Sequence, residues 1–409
     1  MGEIRFLGAD QDAYCASVQR HAAEFEEQSG HRVHVRLIDS DEYFSNQLGQ
    51  YLSGENPADV YMSGPVLVWE QLGRGLVEPL DPFLDRAGTG YDPADFLPSL
   101  LRCNRWSGRF GEPLGEGPLL EIPVNCESYN LAYVPEILER AEVAVPQTWT
   151  DYFDAALQVT QRVAPCRGFG QRGTEEWHTI YTGFASQLWS YGGQDFDASG
   201  ACVINSPAAL KATADIVGAL REAGPTDWLN QRWYELAIDF AHGHYGLIVD
   251  SDHYVAFFED AELSTVRGQV TYALPPAGPG GDRRANMWTW SAVMNANSRD
   301  KDTAWAFMEW ATGPQFLLRS AFEGNMNPTR LSAWEHPRFQ DISSSWGDFV
   351  TVARQLAEQI ADVLVTPAVN YIEVARRWTS ALRAAYADPD ALESALDSAA
   401  NDIENMVIR

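Results

Sequence analysis

Three glycines in the middle of the chain, Gly168, Gly170 and Gly173, match the GxGxxG pattern that holds the pyrophosphate of a dinucleotide. That chemistry needs a buried strand before the glycines and a helix that opens on them. Here Pro165 and Cys166 precede the pattern, and the two glutamates that follow it would face the phosphates with negative charge. The sequence therefore predicts a tight turn at these glycines and no dinucleotide cofactor.

A second set of residues could ligate a divalent metal ion, namely His242, His244, Asp250, Asp252 and His253. Their spacing does not match HExxH, and two glycines among them predict a turn between a helix and a strand. Surface histidines in that turn are the favoured interpretation, so we expect no bound metal.

Asp250 and Asp252 could instead act as the acid and the base of a glycosidase. Two carboxylates two residues apart at one strand end rarely lie on either side of a sugar, as that mechanism requires. The sequence also contains no GxSxG, Walker or kinase motif. It therefore favours a binding protein over an enzyme, and the alternative is a secreted glycosidase or lyase that uses such carboxylates.

Aromatic side chains are frequent, since 14 Trp, 16 Tyr and 18 Phe make up 12% of the 409 residues. Five of them lie where predicted strands end or loops begin: Tyr61, Trp177, Trp288, Trp290 and Tyr371. Flat aromatic faces stack on the C–H faces of sugar rings and polyol chains, while neighbouring Asp, Asn and Arg side chains bond the hydroxyls. For each tryptophan, burial in the core is an equally good interpretation.

The charge balance excludes some partners. The 29 basic and 57 acidic residues give a net charge of −28, and Lys211 and Lys301 are the only lysines. Such a field repels nucleic-acid phosphates and anionic lipids, so we expect neither nucleic acid nor a membrane surface as a partner. The five cysteines include no CxxC pair, and we interpret most of them as isolated buried thiols.

The order of predicted elements indicates an α/β protein. Over residues 1–80, the hydrophobic patterns predict strand, helix, strand, helix and strand, which implies a parallel sheet with right-handed crossovers. The Pro/Gly-rich segment 274–282 predicts a linker, and 288–294 a strand. Helical periodicity predicts further helices over residues 148–161, 177–191, 208–223 and 301–312.

Six segments carry a likeness to a known family: residues 56–60, 73–80, 121–133, 145–149, 241–247 and 328–330. Residues 145–149, for example, read VPQTW and are similar to a P-x-T-W pattern that opens a helix. In this order the segments resemble the extracellular (periplasmic) solute-binding proteins of bacterial carbohydrate ABC importers, family 1, which includes maltose-binding protein. The likeness covers most of the chain, with Val134 in place of a usual asparagine and His244 in place of a usual lysine.

The resemblance implies a fold and a mechanism. The fold is the two-lobed, type II periplasmic-binding-protein fold, in which each lobe is a mostly parallel sheet flanked by helices. Ligand binds in the cleft between the lobes, which close about a hinge. By this likeness the N-terminal lobe comprises residues 1–123 and 283–322, and the C-terminal lobe comprises 124–282 and 323–409. The hinge crossings lie near residues 122–125, 274–284 and 322–326.

The resemblance also places ligand contacts on the strand-end loops that face the cleft. In the first part of the chain these are Asp10, Gln11, Tyr43, Ser63 and Gly64. The others are Glu127, Arg172, Trp177, Asp250, Ser251, Trp288, Asn325, Arg330 and Tyr371. We rank Trp288, Asp250, Glu127 and Trp177 highest.

The predicted ligand is a neutral carbohydrate or polyol. The turn around Arg172, followed by Trp177, is similar to the sugar-alcohol branch of the family, although Arg172 and Arg330 leave an acidic sugar open. The resemblance implies an ABC transporter permease as the protein partner, a monomeric state and no cofactor. It also implies a periplasmic or extracellular location, with a lipoprotein anchor as one form. Residues 1–6 show no basic or apolar signal region, so the protein is either cytosolic or had its export signal removed.

Overall fold

The computed structural model describes residues 1–10, 12–44, 48–324 and 327–409. Its strands form one continuous hydrogen-bonded sheet in the order β2-β1-β3-β8-β4-β6-β5, with β7 paired to β4 and β9 paired to β8. The strands are β1 (Glu3–Ala9), β2 (Arg32–Ile38), β3 (Val60–Ser63), β4 (Ile122–Tyr133), β5 (Arg167–Gly170), β6 (Tyr245–Ser251), β7 (Thr271–Ala273), β8 (Ala285–Met294) and β9 (Ala361–Asp362).

Helices cover the sheet and fill most of the remaining chain. Those of the first half are α1 (Ala13–Ser29), α2 (Ser40–Tyr43), α3 (Leu48–Ser53), α4 (Pro65–Gly73), α5 (Asp81–Leu84), α6 (Pro98–Cys103), α7 (Pro135–Ala141), α8 (Trp149–Arg162) and α9 (Gly183–Ser190). Those of the second half are α10 (Pro207–Ala223), α11 (Trp233–Ala241), α12 (Val255–Phe258), α13 (Lys301–Ala311), α14 (Pro314–Gly324), α15 (Leu331–Trp334), α16 (Pro337–Ser343), α17 (Phe349–Gln355), α18 (Tyr371–Ala387) and α19 (Leu392–Met406). Single 3₁₀ turns lie at Pro93–Asp95, Trp177–Thr179, Trp228–Asn230, Asp252–Tyr254 and Pro389–Ala391, and a π turn at Leu356–Ile360. In the part of the chain that the structure describes, we find no helix long and apolar enough to cross a bilayer.

The parallel arrangement predicted for the first 80 residues is confirmed. Strand β1 pairs in parallel with both β2 and β3, as right-handed crossovers require. Helix α1 begins because the Asp12 carboxylate accepts a hydrogen bond from the Cys15 N–H (2.8 Å), and it ends at Gly30, whose φ of 70° suits a residue without a Cβ.

The long strands β4 and β8 connect two groups of strands: the first group is β1, β2 and β3, and the second group is β5, β6 and β7. Residues 122–128 of β4 pair antiparallel with β8, and residues 129–133 pair antiparallel with β6. The sheet is therefore mixed: it is parallel at β1–β3 and at β5–β6, and antiparallel along these two strands. A side chain in the middle of β4 or β8 consequently lies between the two groups.

Later segments of the chain return to both groups. Helices α13 and α14 pack on α1, whereas α18 and α19 pack on α10. The Arg383 guanidinium of α18 donates to the Leu229 carbonyl (2.8 Å), which joins the C-terminal helices to the middle of the chain. Helices from residues near 300 therefore lie on the outside of the first group of strands. Helices from the end of the chain lie on the outside of the second group.

The predicted helices are confirmed over 148–161, 208–223 and 301–312 but not over all of 177–191. In that segment a 3₁₀ turn and helix α9 are separated at residues 180–182. The Tyr181 carbonyl accepts from Asn286 Nδ2 (2.7 Å), so a side chain of β8 replaces the helical hydrogen bond there. Sequence periodicity does not report such a distant partner.

The GxGxxG glycines have a packing role. A Cβ on Gly168 would lie 2.0 Å from the Ala156 carbonyl oxygen, and one on Gly173 would lie 2.0 Å from the Trp228 carbonyl oxygen. Strand β5 and the turn after it can therefore approach neighbouring backbone closely, and the described residues 171–176 form no helix on which a pyrophosphate could bind. The five cysteines are free thiols, as expected.

Candidate ligand-binding site

An aromatic cluster surrounds Trp288 at the start of β8. The Trp288 ring centroid lies 5.2 Å from that of Trp177, 5.1 Å from that of Tyr181 and 5.3 Å from that of Trp290. Trp177 and Tyr181 come from the segment before α9, while the other two lie on one face of β8. The cluster is thus built by two distant parts of the chain.

A carboxylate lies directly against this cluster. Glu127 of β4 is the cross-strand partner of Trp288, and its Oε1 accepts from Trp290 Nε1 (2.7 Å). Asn125 is the cross-strand partner of Trp290, so its side chain lies on the same face. The middle of β4 therefore presents a carboxylate and an amide beside the indoles.

The turn between β3 and α4 closes the cluster from the other group of strands. A Cβ on Gly64 would lie 2.4 Å from Trp288 Cζ2 and 2.7 Å from the Thr289 carbonyl oxygen, so the contact tolerates only glycine. Ser63 precedes Gly64 and is fully buried. Ser63 ends β3 and Gly64 follows it, and both are among the contacts that the resemblance implies.

Arg172 and Asp250 form a buried, bidentate ion pair, whose charges act, like that of Glu127, on Tyr129 and Tyr254. Arg172 Nε donates to Asp250 Oδ2 (3.1 Å) and Nη2 donates to Oδ1 (2.5 Å), and the guanidinium lies 5.6 Å from the Tyr254 ring. Burial alone lowers the pKa of Arg172, but the Asp250 carboxylate and the neighbouring tyrosines raise it well above its usual value. The two charges therefore neutralise each other inside the protein.

Several buried polar atoms around the cluster have no hydrogen-bond partner among the described residues. They are Asn125 Oδ1, Tyr254 Oη and Trp288 Nε1. Leaving such atoms unpaired away from water is costly, so their grouping indicates a place for a polar ligand or for ordered water. The set contains an N–H donor, a carbonyl acceptor and a hydroxyl that can do both. A hydroxyl-rich, uncharged molecule matches this combination.

Three titratable residues that were not among the predicted contacts, Asp252, His253 and Asp12, interact with Glu127 or with one another. Asp252 accepts from the Ser128 N–H (2.9 Å) and from Asn327 Nδ2 (2.6 Å), and burial raises its pKa well above the usual value. Burial also raises the pKa of Asp12. Its hydrogen bonds with Cys15 and the charge of His253 lower this pKa, but burial has the larger effect. Asp12 follows Asp10 and Gln11 in the sequence, and that polar run was the signal available there.

The structure brings four of the predicted contacts together in the cluster: Gly64, Glu127, Trp177 and Trp288. The charges of the Arg172–Asp250 pair act, like that of Glu127, on Tyr129 and Tyr254. Ser63 is the cross-strand partner of Ser291, so its side chain points to the other face of β8. Ser251 is buried beside the Arg172–Asp250 pair, and its Oγ accepts from the His253 N–H (3.2 Å). Tyr181, Trp290 and Asn125 complete the set. The sequence does contain a signal for Trp290, because it lies two residues after Trp288 on the same predicted strand and therefore points to the same face.

Other predicted contacts have partners of their own elsewhere. The Tyr43 hydroxyl donates to the Met62 carbonyl in the core. Arg330 donates to the carbonyls of Thr312 and Asp92 (2.9 Å each) and lies 3.8 Å from the centre of the Phe96 ring.

Two more predicted contacts follow the same pattern. Tyr371 donates to Asp195 Oδ2 (2.9 Å) inside the protein, and the exposed Asp10 accepts from Ser40 Oγ (3.3 Å). A position at a strand end does not determine which way a side chain points, and we do not place these four residues in the candidate site. Gln11 and Asn325 lie outside the described residues.

The residues considered for catalysis and for metal binding can be located among the described parts of the chain. Both oxygens of Asp250 are bound by Arg172, which leaves this carboxylate unsuited to donate a proton. Within residues 1–10, 12–44, 48–324 and 327–409, no group of three or more His, Cys, Asp or Glu side chains could hold a metal ion.

Solved structures share this architecture over their whole length. One is a solute-binding protein of Agrobacterium radiobacter K84 in complex with ribitol, with a TM-score of 0.86, 20% identity and coverage of 99% of this chain and 98% of that one. Another is the maltose-bound MalE3 of T. maritima, with a TM-score of 0.83, 21% identity and coverage of 99% and 100%. The chain has the two-lobed α/β periplasmic-binding-protein fold, as predicted.

Sequence comparison adds the family. The bacterial extracellular solute-binding protein family matches residues 9–316, and the chain belongs to it. A relative is the erythritol/L-threitol-binding protein of Mycolicibacterium smegmatis, which is 28% identical over 390 residues covering 92% of this chain and 80% of the relative. The resemblance drawn from the six sequence segments is confirmed.

Proposed function

We propose that this protein binds a sugar alcohol or sugar between its two lobes and delivers it to the permease of an ABC transporter. The observation that carries the proposal is the aromatic cluster of Trp177, Tyr181, Trp288 and Trp290 with Glu127 and unpaired polar atoms beside it. Aromatic rings and hydroxyl-bonding groups together are what polyhydroxylated ligands require. The names of the erythritol/L-threitol-binding relative and the ribitol complex support the same class of ligand.

We favour a neutral ligand over an acidic one. Arg172, which could have received a carboxylate, is neutralised by Asp250, and Arg330 is committed to backbone carbonyls. The net charge of −28 also opposes anionic solutes.

The lobe boundaries and the setting complete the proposal. Residues 1–123 with 283–322 form one lobe, and 124–282 with 323–409 form the other, with crossings near 122–125, 274–284 and 322–326. The packing of α13 and α14 on α1, and of α18 and α19 on α10, supports this division. The protein acts as a monomer in the periplasm or at the cell surface, where a lipid anchor would hold it, and it carries out no catalysis.

Calorimetric titration with tetritols, pentitols, hexitols, neutral mono- and disaccharides and an acidic sugar tests this function. We expect a neutral member of the panel to bind and to be recovered unchanged. Glu127→Gln should weaken its binding about 10- to 100-fold, because hydrogen bonds to a charged group contribute roughly 1.5–3 kcal/mol. The matched control is Glu136→Gln, which changes an exposed glutamate of α7 and should leave the Kd unchanged.

Three results would contradict the proposal. One is binding of no neutral compound, the second is tightest binding of the acidic sugar, and the third is bond cleavage in any compound, which would support the enzyme alternative.

A further inference from the structure

The faces of the Trp288 indole are covered by protein. Trp177 lies against it at an interplanar angle of 36°, and Tyr181 meets it at 89°. Only 3% of the surface of Trp288 and 7% of that of Trp177 is exposed. These two indoles pack on each other, so neither offers the open face on which a pyranose ring stacks.

Trp288 is also held by a turn of its own proposed lobe, the one between β3 and α4. Its Cζ2 atom would lie 2.4 Å from a Cβ at Gly64, so the ring fills the space that a side chain at that position would occupy. Because Gly64 is the N-cap of α4 and precedes Pro65, the backbone there has little freedom to move away. The indole is therefore clamped between the β3–α4 turn and Trp177.

The polar group of Trp288 lies on the edge of its ring. Its Nε1 is buried without a hydrogen-bond partner among the described residues, and so is Asn125 Oδ1 nearby on the same face of the sheet. Glu127 lies opposite Trp288 in the strand register. An edge with one donor and adjacent acceptors suits the successive hydroxyls of a linear chain better than the face of a ring.

We propose that Trp288, clamped between Gly64 and Trp177, is a specificity-determining residue that restricts the ligand to short acyclic polyols such as tetritols and pentitols. This inference rests on the proposed function and narrows its ligand class. An indole occupies about the volume of a sugar ring, and deleting a buried aromatic side chain leaves a cavity that a small molecule can enter. Removal of Trp288 should therefore relax the restriction on size and shape.

The experiment compares the Kd values of erythritol, ribitol, mannitol, methyl glucoside and maltose for the wild type and for Trp288→Ala. The wild type should bind erythritol or ribitol at least about 100-fold more tightly than methyl glucoside or maltose. We define the selectivity ratio as the Kd of methyl glucoside or maltose divided by the Kd of erythritol or ribitol. In Trp288→Ala this ratio should fall by at least about tenfold, because the short polyols bind more weakly and the larger ligands bind more tightly.

The matched control is Trp305→Ala. Trp305 is also buried, its Nε1 likewise has no partner among the described residues, and it packs on Phe83 and Tyr91 away from the cluster. This variant should keep the wild-type ratio. If Trp288→Ala does not fold, Trp288→Phe provides the same test, because it keeps an aromatic ring but removes the Nε1–H and part of the volume.

The outcomes separate the two claims. A wild type that binds methyl glucoside or maltose as tightly as ribitol overturns the inference and leaves the proposed function standing. An unchanged ratio in the Trp288 variant has the same effect. A wild type that binds no compound of the panel overturns the proposed function and the inference with it.

Discussion

Glu121 shows how far the environment of a single residue can depart from what its type suggests. It lies fully buried just before β4, and neither carboxylate oxygen has a hydrogen-bond partner among the described residues. Burial raises the pKa of Glu121 well above its usual value, and burial together with the Glu121 charge raises that of Tyr61. This carboxyl group therefore holds its proton in the folded protein at pH values where an exposed one has lost it.

The raised pKa has a consequence for stability against pH. The native state holds the proton more tightly than the unfolded state, so the free energy of unfolding falls as the pH rises above the usual value of 4.5. Glu121→Gln removes this dependence. We expect the variant to gain stability relative to the wild type with rising pH, by up to about 1.4 kcal/mol per pH unit, and the difference between the two to stop changing with pH below the usual pKa.

Urea denaturation between pH 4 and 9 measures this difference, with the exposed Glu116→Gln as the control that should follow the wild type. Parallel stability curves for Glu121→Gln and the wild type would show that Glu121 ionises normally.

At the scale of elements, the approach of α8 to β5 depends on a glycine. The Ala156 carbonyl of α8 leaves no room for a Cβ at Gly168, which would lie 2.0 Å away. We expect Gly168→Ala to destabilise the protein by about 1–3 kcal/mol or more, because backbone must shift against backbone.

A second glycine provides the control. Gly218 lies inside α10, and nothing lies within 4 Å of the Cβ position there. Gly218→Ala should therefore stabilise the protein by about 0.5–1 kcal/mol, since alanine favours the helix. Thermal and chemical denaturation of both variants measure these changes. A Gly168→Ala protein as stable as the wild type would mean that the helix and strand do not pack this closely in solution.

At the scale of the whole molecule, the candidate site is a meeting point of the two proposed lobes. Gly64 approaches Trp288 from one side and Trp177 approaches it from the other. A ligand bound there would contact both lobes and favour the closed arrangement.

Saturation with a bound polyol should therefore do two things. At about a hundredfold excess over Kd it should stabilise the protein by roughly 2.7 kcal/mol, seen as a higher Tm. It should also reduce the radius of gyration measured by small-angle scattering. A higher Tm without any change in radius would indicate binding to an already closed molecule and would contradict hinge closure.

The sequence by itself determined the family, the parallel start of the sheet and most helices, because these depend on local periodicity and on ordered segments. The likeness of its segments also predicted Glu127 and Trp288 as ligand contacts, and they lie on β4 and β8, the two long strands at the middle of the sheet. Only the tertiary structure decided that Arg172 is neutralised by Asp250, and that Tyr43 serves the core. The physical reason is that a side chain's role depends on its direction and on partners tens to hundreds of residues away, and neither is encoded in local spacing.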